Sequence, residues 1–283
     1  MLTTPLALSS TVCGNQVFHW GSRTYVMGII NLTPDSFSGD GVGDDVDAAV
    51  ARALRFQEEG ADILDVGGQS TRPGHSPISV DDELRRVIPS LEAIAAAVDL
   101  PISVDTSRPE VARRALQAGA SMLNDVWGAA TATNLAPVAA EVGVPLVLMH
   151  NQQGTHYHDL VPDVAASLHA ATQHALSVGL SWECIILDPG IGFGKTAEQN
   201  LELLRRLSDL RSLGRPLLVG TSRKSTIGLV LDLPVEERLE GTAATVALSI
   251  GGGADIVRVH DVKEMVRVAR MSDAIVRGWR AAG

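Results

Sequence analysis

Residues 184–196 read CIILDPGIGFGKT: an apolar run that stops at an aspartate and breaks into a glycine-rich turn. A phosphate-binding P-loop would need four residues between its first glycine and the Gly-Lys-Ser/Thr, so that successive backbone N–H groups can wrap the phosphates. Gly190 comes one residue too late for that, and Pro189 precedes it. A dinucleotide fingerprint would place glycines at the first, third and sixth positions, and here they fall at the first, third and fifth. With both phosphate motifs excluded, what remains is a short buried strand with a polar tip, followed by a turn and a helix-forming segment.

That unit repeats along the chain. Short apolar or β-branched runs ending in polar or glycine residues occur at YVMGIIN (25–31), ADILDVGG (61–68), PISVDT (101–106), SMLNDV (121–126), PLVLMH (145–150), CIILDPG (184–190), PLLVGTS (216–222) and DIVRVHD (255–261). Segments of helical spacing lie between them, among them DVDAAVARALRFQEEG, RPEVARRALQAG, PDVAASLHAATQHALSVG and AEQNLELLRRLSDLRSLG. Several end in a glycine suited to a left-handed C-cap. Near-continuous apolar strands alternating with helices require a parallel sheet covered by helices. Eight units predict a closed (β/α)₈ TIM barrel of the α/β class over residues 25–283, with a doubly wound open sheet as the alternative. Residues 1–24 form a leader in which VFHW, flanked by turn residues, predicts a short hairpin closing the N-terminal end of the barrel. No linker, low-complexity stretch or second domain interrupts the pattern.

A chain of 283 residues with 45% hydrophobic content can bury a substantial core. Its formal charge of −10 argues against a broad nucleic-acid or membrane-surface footprint, so an anionic substrate must meet a local basic cluster. Cys13 and Cys184 have neither Cys-x-x-Cys spacing nor a disulfide framework and fit a reducing cytoplasm. The first residues lack a basic region, their apolar run is broken by Pro5, and no long apolar stretch follows. The expectation is a protein that is neither exported nor membrane-bound.

In such barrels the chemistry gathers at the C-terminal strand ends. Here they carry Asn31, Gly67 and Gly68, Asp105, Asn124, His150, Asp188, Thr221 with Ser222, and Arg258 with His260. Any one has a plain structural reading: Asp105 as a helix cap, Asn124 as a turn residue, His150 as a packed core histidine. Together they predict a ligand site, because unpaired polar groups facing one cavity cost roughly 1 to 3 kcal/mol each. Asp105, Asn124 and Asp188, from the third, fourth and sixth strands, suit a ligand rich in N–H donors such as an aminopyrimidinone edge. Arg258 and His260, two apart on one strand, share a face. With Arg72 and Thr71 of STRPG, and with Asn31 as an oxygen ligand for hydrated Mg²⁺, they suggest a polyphosphate pocket. TSRKS (221–225) sets Lys224 at the start of a helix.

The segments MGIINLTPDSFS, DVGGQSTRPG, SVDT, NDV, DPGIGFGKT, GTSRKS and RVHD resemble, in order and over residues 25–278, those of the dihydropteroate synthases of the folate pathway. The resemblance implies a pterin-binding barrel that joins p-aminobenzoate to 6-hydroxymethyl-7,8-dihydropterin diphosphate and releases pyrophosphate, with Mg²⁺ as cofactor and a homodimer built through the later helices. It implies that Asp105, Asn124, Asp188 and Lys224 hold the pterin with Met149 nearby, and that Asn31 contacts Mg²⁺. Arg72, Arg258 and His260 would take the diphosphate, while Thr71, Pro73, Phe193, Ser222 and Lys224 would frame the p-aminobenzoate pocket. The catalytic set would be Lys224, Arg258 and a loop carboxylate. Lys195 is left structural or exposed.

Two departures stand out. The first loop reads SFSGDGVGDD where the family pattern has Asp-Gly-Gly after the serine, so the loop carboxylate facing the reacting carbon is Asp40 or, alternatively, Asp35. Gln69 stands where glutamate is usual. Two other functions fit parts of the pattern: a methyltetrahydrofolate-dependent methyltransferase, which would not need Arg72, Arg258 and His260, and a catalytically silent pterin-binding paralogue.

Overall fold

The repeated strand–helix unit is realised as a ring of parallel strands in the computed structural model, which describes residues 10–33, 41, 43, 45–69, 78–128 and 135–279. A two-stranded antiparallel hairpin, β1 (Ser10–Cys13) and β2 (Gln16–His19), comes first. The ring comprises β3 (Tyr25–Asn31), β4 (Ile63–Gly67), β5 (Ile102–Asp105), β6 (Met122–Asp125), β7 (Leu146–Met149), β8 (Ile185–Asp188), β9 (Leu218–Val219) and β10 (Ile256–Val259). They pair in the order β8-β7-β6-β5-β4-β3-β10-β9. A parallel bridge between Leu187 and Leu217 joins the two ends and closes the barrel. All eight expected strands are present, and the closure excludes the open doubly wound sheet.

The helices pack outside: α1 (Val46–Glu59), α2 (Val80–Ala97), α3 (Pro109–Gln117), α4 (Ala136–Val142), α5 (Leu160–Ser177), α6 (Ala197–Arg205), α7 (Ser225–Leu231), α8 (Leu239–Gly251) and α9 (Val262–Val276). Their ends follow local chemistry. Asp45 caps α1 by accepting from the Ala48 N–H at 2.9 Å, and Gly60 ends it at φ 94°. The segment 197–214, read as one helix, is instead α6 followed by a 3₁₀ stretch, Leu207–Leu213. Ser208 and Asp209 are poor helix formers, and the Asp209 carboxylate is engaged by the Arg206 Nε at 3.0 Å, which favours the tighter turn. Leu203, Leu207 and Leu210 stay buried across the change.

Strand alternation divides the core in two. Outward residues such as Val26, Leu64, Val104, Leu123, Leu146 and Leu187 pack against the helices. Inward residues near the strand starts, Tyr25, Met27, Ile63, Met122, Val147, Ile186, Leu218 and Ile256, fill the lower barrel together with Cys13, Phe18 and Trp20 from the leader. The hairpin therefore plugs the N-terminal end, as its turn residues predict. Phe18 meets Tyr25 edge-on at 4.8 Å, and the Trp20 indole N–H donates to the Thr11 hydroxyl at 2.8 Å. Apolar packing thus fills the barrel interior at that end, and the polar strand ends lie at the opposite mouth. Among the described residues no helix is long and apolar enough to cross a membrane.

Candidate active site

The same alternation carries each inward row upward from the apolar plug. Ile63 is followed by Asp65 and Gly67, Met122 by Asn124, Val147 by Met149, Ile186 by Asp188, and Ile256 by Arg258 and His260. The register places Asp105 beside both Gly67 and Asn124, and Met149 beside Asp188. Gly67 leaves room that a side chain would take, since a Cβ there would sit 3.4 Å from the Asp105 Cβ.

The floor of the mouth is a charged lattice. Arg258 donates from Nε to Asp65 Oδ2 at 2.6 Å and from Nη2 to Asp105 Oδ2 at 3.0 Å. The Asn124 amide donates to the same Asp65 oxygen at 3.2 Å. Asp65 is fully buried, and Asp105, Asn124 and Asp188 are nearly so. Asp65 is absent from the residues selected by sequence, although a signal exists: it is a charged residue inside the apolar strand ILDVG, on the inward parity. Arg258 is thus engaged by carboxylates, whereas the sequence reading groups it with the diphosphate ligands.

Burial pushes the Asp105 carboxyl up to about 7, against the Arg258 guanidinium, which pulls it down, and with the Asp65 carboxylate adding to the rise. Asp188 is pushed up to about 6 by burial, opposed by the Gly190 N–H, which it accepts at 2.7 Å, and by Lys224, Arg258 and Lys195. Asp105 Oδ1 is buried, and among the described residues no group donates to it. An acceptor in that state is a built demand for a donor.

The turns after β8 and β9 add a cationic and aromatic wall. Lys224 Nζ lies 4.0 Å from the centroid of the Phe193 ring. Arg223, just before it, has φ 56°, a left-handed conformation held by its surroundings. The Arg223 N–H donates to the Thr242 hydroxyl at 3.1 Å, its Nε to Asp261 at 3.0 Å, and its carbonyl accepts from Arg238 at 3.0 Å. The Ser222 hydroxyl accepts from the His260 backbone N–H at 3.1 Å and lies 2.9 Å from His260 Nδ1. Two residues expected in different subsites are therefore in direct contact. Asn31 ends β3, half-buried, beside Gly67.

Two polar residues settle differently from the mouth set. His150 is buried, with Nδ1 2.9 Å from Lys195 Nζ, and so takes the packed role. Lys195 is buried and not exposed, and burial draws its ammonium down to about 7. Burial, aided by Lys195, draws His150 down to about 4. Asp35, Asp40, Thr71, Arg72 and Pro73 lie outside the described residues.

A sealed (β/α)₈ barrel whose mouth sets buried acceptor carboxylates against cations and an aromatic ring is the architecture of an enzyme for a small, N–H-rich substrate that also carries negative charge. Comparison with known proteins gives the class its family. Residues 27–260 match the model of the pterin binding enzymes. A dihydropteroate synthase of Clostridium beijerinckii is 51% identical over 93% of this chain and 98% of that protein. Among solved structures, a dihydropteroate synthase of Clostridium difficile obtained in the presence of pteroic acid superposes with a TM-score of 0.88 at 50% identity, covering 92% of this chain and 99% of that one. The Xanthomonas albilineans enzyme with 4-aminobenzoic acid gives 0.88 at 42% identity, covering 96% and 98%. The chain belongs to the dihydropteroate synthase family.

Proposed function

We propose that the chain condenses 6-hydroxymethyl-7,8-dihydropterin diphosphate with p-aminobenzoate to give 7,8-dihydropteroate and pyrophosphate. The observation that carries the reading is the buried Asp105 Oδ1 beside Asn124, to which no described residue donates, at the same end of the barrel as the second raised carboxyl, Asp188. Two carboxylates and an amide match the alternating N–H and acceptor edge of a pterin. Met149 supplies an apolar neighbour, and Lys224 lies between the two ring pockets. Phe193, Ser222, Thr71 and Pro73 frame the p-aminobenzoate, and His260, Arg72 and Arg258 take the diphosphate. Asp40 or Asp35 faces the reacting carbon.

The methylene C–O bond to the diphosphate breaks first, because the electron-rich dihydropterin spreads the resulting positive charge. The arylamine nitrogen then bonds to that carbon and loses its proton. No covalent enzyme intermediate is needed; the residues position both partners and stabilise charge. The donor set also fits Mg²⁺. Among the described residues no group of three or more His, Cys, Asp or Glu could cage a metal, and Asn31 would offer a single oxygen ligand to Mg²⁺, an ion that dehydrates reluctantly. Held there, Mg²⁺ would neutralise the leaving pyrophosphate. Incubation with both substrates and Mg²⁺, with pyrophosphate and dihydropteroate assayed separately, tests the reading; absence of dihydropteroate would overturn it.

The raised carboxyls give a pH dependence. A pterin that donates to Asp105 and Asp188 favours their ionised forms, so binding releases protons wherever the free carboxyls are protonated. Affinity for an unphosphorylated pterin should therefore rise at least about tenfold from pH 5.5 to 7.5 and level off above about 7. Calorimetry across that range, in buffers of different ionisation enthalpy, would show the released proton. A flat profile would remove the carboxyls from the pterin site.

We also place the protein in the cytoplasm as a homodimer. Both cysteines are free thiols, which fits a reducing compartment. Leu229 on α7, Leu248 on α8 and Ile275 on α9 are 70 to 72% exposed, an apolar surface of the kind a second copy covers. Light scattering should give a dimer, and Leu248→Arg combined with Ile275→Arg a monomer; a monomeric parent would refute the assembly.

A further inference from the structure

The turn between β8 and α6 is built around a buried ammonium that the condensation does not use. Gly190, Gly192 and Gly194 have φ of 71°, 82° and 57°, a run that residues with a Cβ rarely adopt. The turn is also pressed against the loop after β7. A Cβ on Gly190 would lie 1.9 Å from the His150 carbonyl oxygen, and one on Gly194 would lie 2.6 Å from that of Gln152. Lys195 Nζ sits inside this fold of backbone, donating to the Gly190 and Phe193 carbonyls at 3.0 Å each and lying 2.9 Å from His150 Nδ1. An ammonium has three N–H groups, and three partners stand around this one. Two more bonds tie the same turn down: the Tyr157 hydroxyl donates to the Gly194 carbonyl at 2.8 Å, and the Gly192 N–H donates to Asn200 Oδ1 at 2.7 Å.

We infer that Lys195 is a positioning residue for the second substrate: by clamping the Gly190 and Phe193 carbonyls to His150, it fixes the Phe193 ring beneath Lys224 as one wall of the p-aminobenzoate pocket. Burying an amine is costly, and a methionine would fill similar space without polar atoms to satisfy. The buried donors do what an apolar side chain cannot, which is to hold two carbonyls of one turn at a common point. The pterin side depends less on the clamp. Asp188 is set by β8 and by its own bond from the Gly190 N–H. The two ends of the turn are thus separable: Asp188 is carried by the barrel, and Phe193 by the ammonium.

The inference rests on the function proposed above. In Lys195→Met, the KM for p-aminobenzoate should rise at least about tenfold, while kcat and the affinity for an unphosphorylated pterin stay within about threefold of the parent. A purely structural role would lower both affinities together, in step with the unfolding midpoint. Tyr157→Phe removes a single bond to the same turn from a half-buried position and should raise the p-aminobenzoate KM about threefold with the same selectivity. If Lys195→Met does not fold, the Tyr157→Phe result decides. An unchanged p-aminobenzoate KM in the folded Lys195 variant, or in Tyr157→Phe where that variant must decide, would overturn the clamp, as would equal loss of pterin affinity. A parent that forms no dihydropteroate would overturn the functional reading and the clamp with it, whereas an active parent beside an unaffected variant overturns the clamp alone.

Discussion

Arg258→Ala is expected to lose both stability and turnover, with the stability loss growing as the pH rises. Arg258 is the guanidinium shared by Asp65, which is fully buried, and Asp105. Removing one member of a buried charge network leaves the others uncompensated, at roughly 3 to 5 kcal/mol. Asp105 is already pushed up by burial and by Asp65, and it loses the one cation that pulls it down most. A carboxyl whose folded pKa lies above its unfolded value is stabilising below the unfolded value, and that contribution is lost as pH rises through the folded one. The gap between variant and parent should therefore be wider at pH 8 than at pH 5.5 in urea unfolding. Adding Asp65→Asn to the variant should restore much of the loss, because it removes the orphaned charge while keeping a group that can pair with Asn124. Turnover should fall at least about 100-fold in kcat/KM, the scale of losing one charge-stabilising donor. Since Arg258 touches Asp105, pterin and pyrophosphate binding should weaken together. A variant that lost pyrophosphate binding alone would restore the division of the mouth into two independent pockets. Parental stability at both pH values would show the lattice to be without structural weight.

Asp105→Asn should do the reverse, sparing the fold and removing the ligand. The amide oxygen can still accept from Arg258 Nη2, and Asp65 keeps its bond from Nε. Its NH₂, however, then occupies the position of Oδ1, the buried acceptor to which no described residue donates. A donor facing the pterin N–H groups leaves both unpaired, at about 3 kcal/mol, or roughly 150-fold in affinity. The unfolding midpoint should stay level or rise, because a buried carboxyl that resists ionisation has been removed. Calorimetric pterin affinity equal to the parent's would exclude Asp105 from the site. A matching collapse of stability would make it a structural residue.

Much of this molecule is written in local pattern. The eight strands, the hairpin at the closed end and the parity that aims Asp105, Asn124, Asp188, Arg258 and His260 at one mouth follow from a period of two in short apolar runs, because alternate residues of a strand must face opposite sides. Asp65 obeys the same rule, but its apolar neighbours make the strand read as core. Other features have no local signal. The pairing of Arg258 with Asp65, 193 positions away, depends on how far neighbouring strands are staggered around the closed ring, which no single strand encodes. Lys195 reads as one more charged residue in a glycine-rich turn until the loop after β7 brings His150 against it. Local pattern is enough to say which side chains enter the barrel and at which end. Which of them meet is settled by the fold, because ion pairs and buried donors are set by distances of a few ångströms between segments that are remote along the chain.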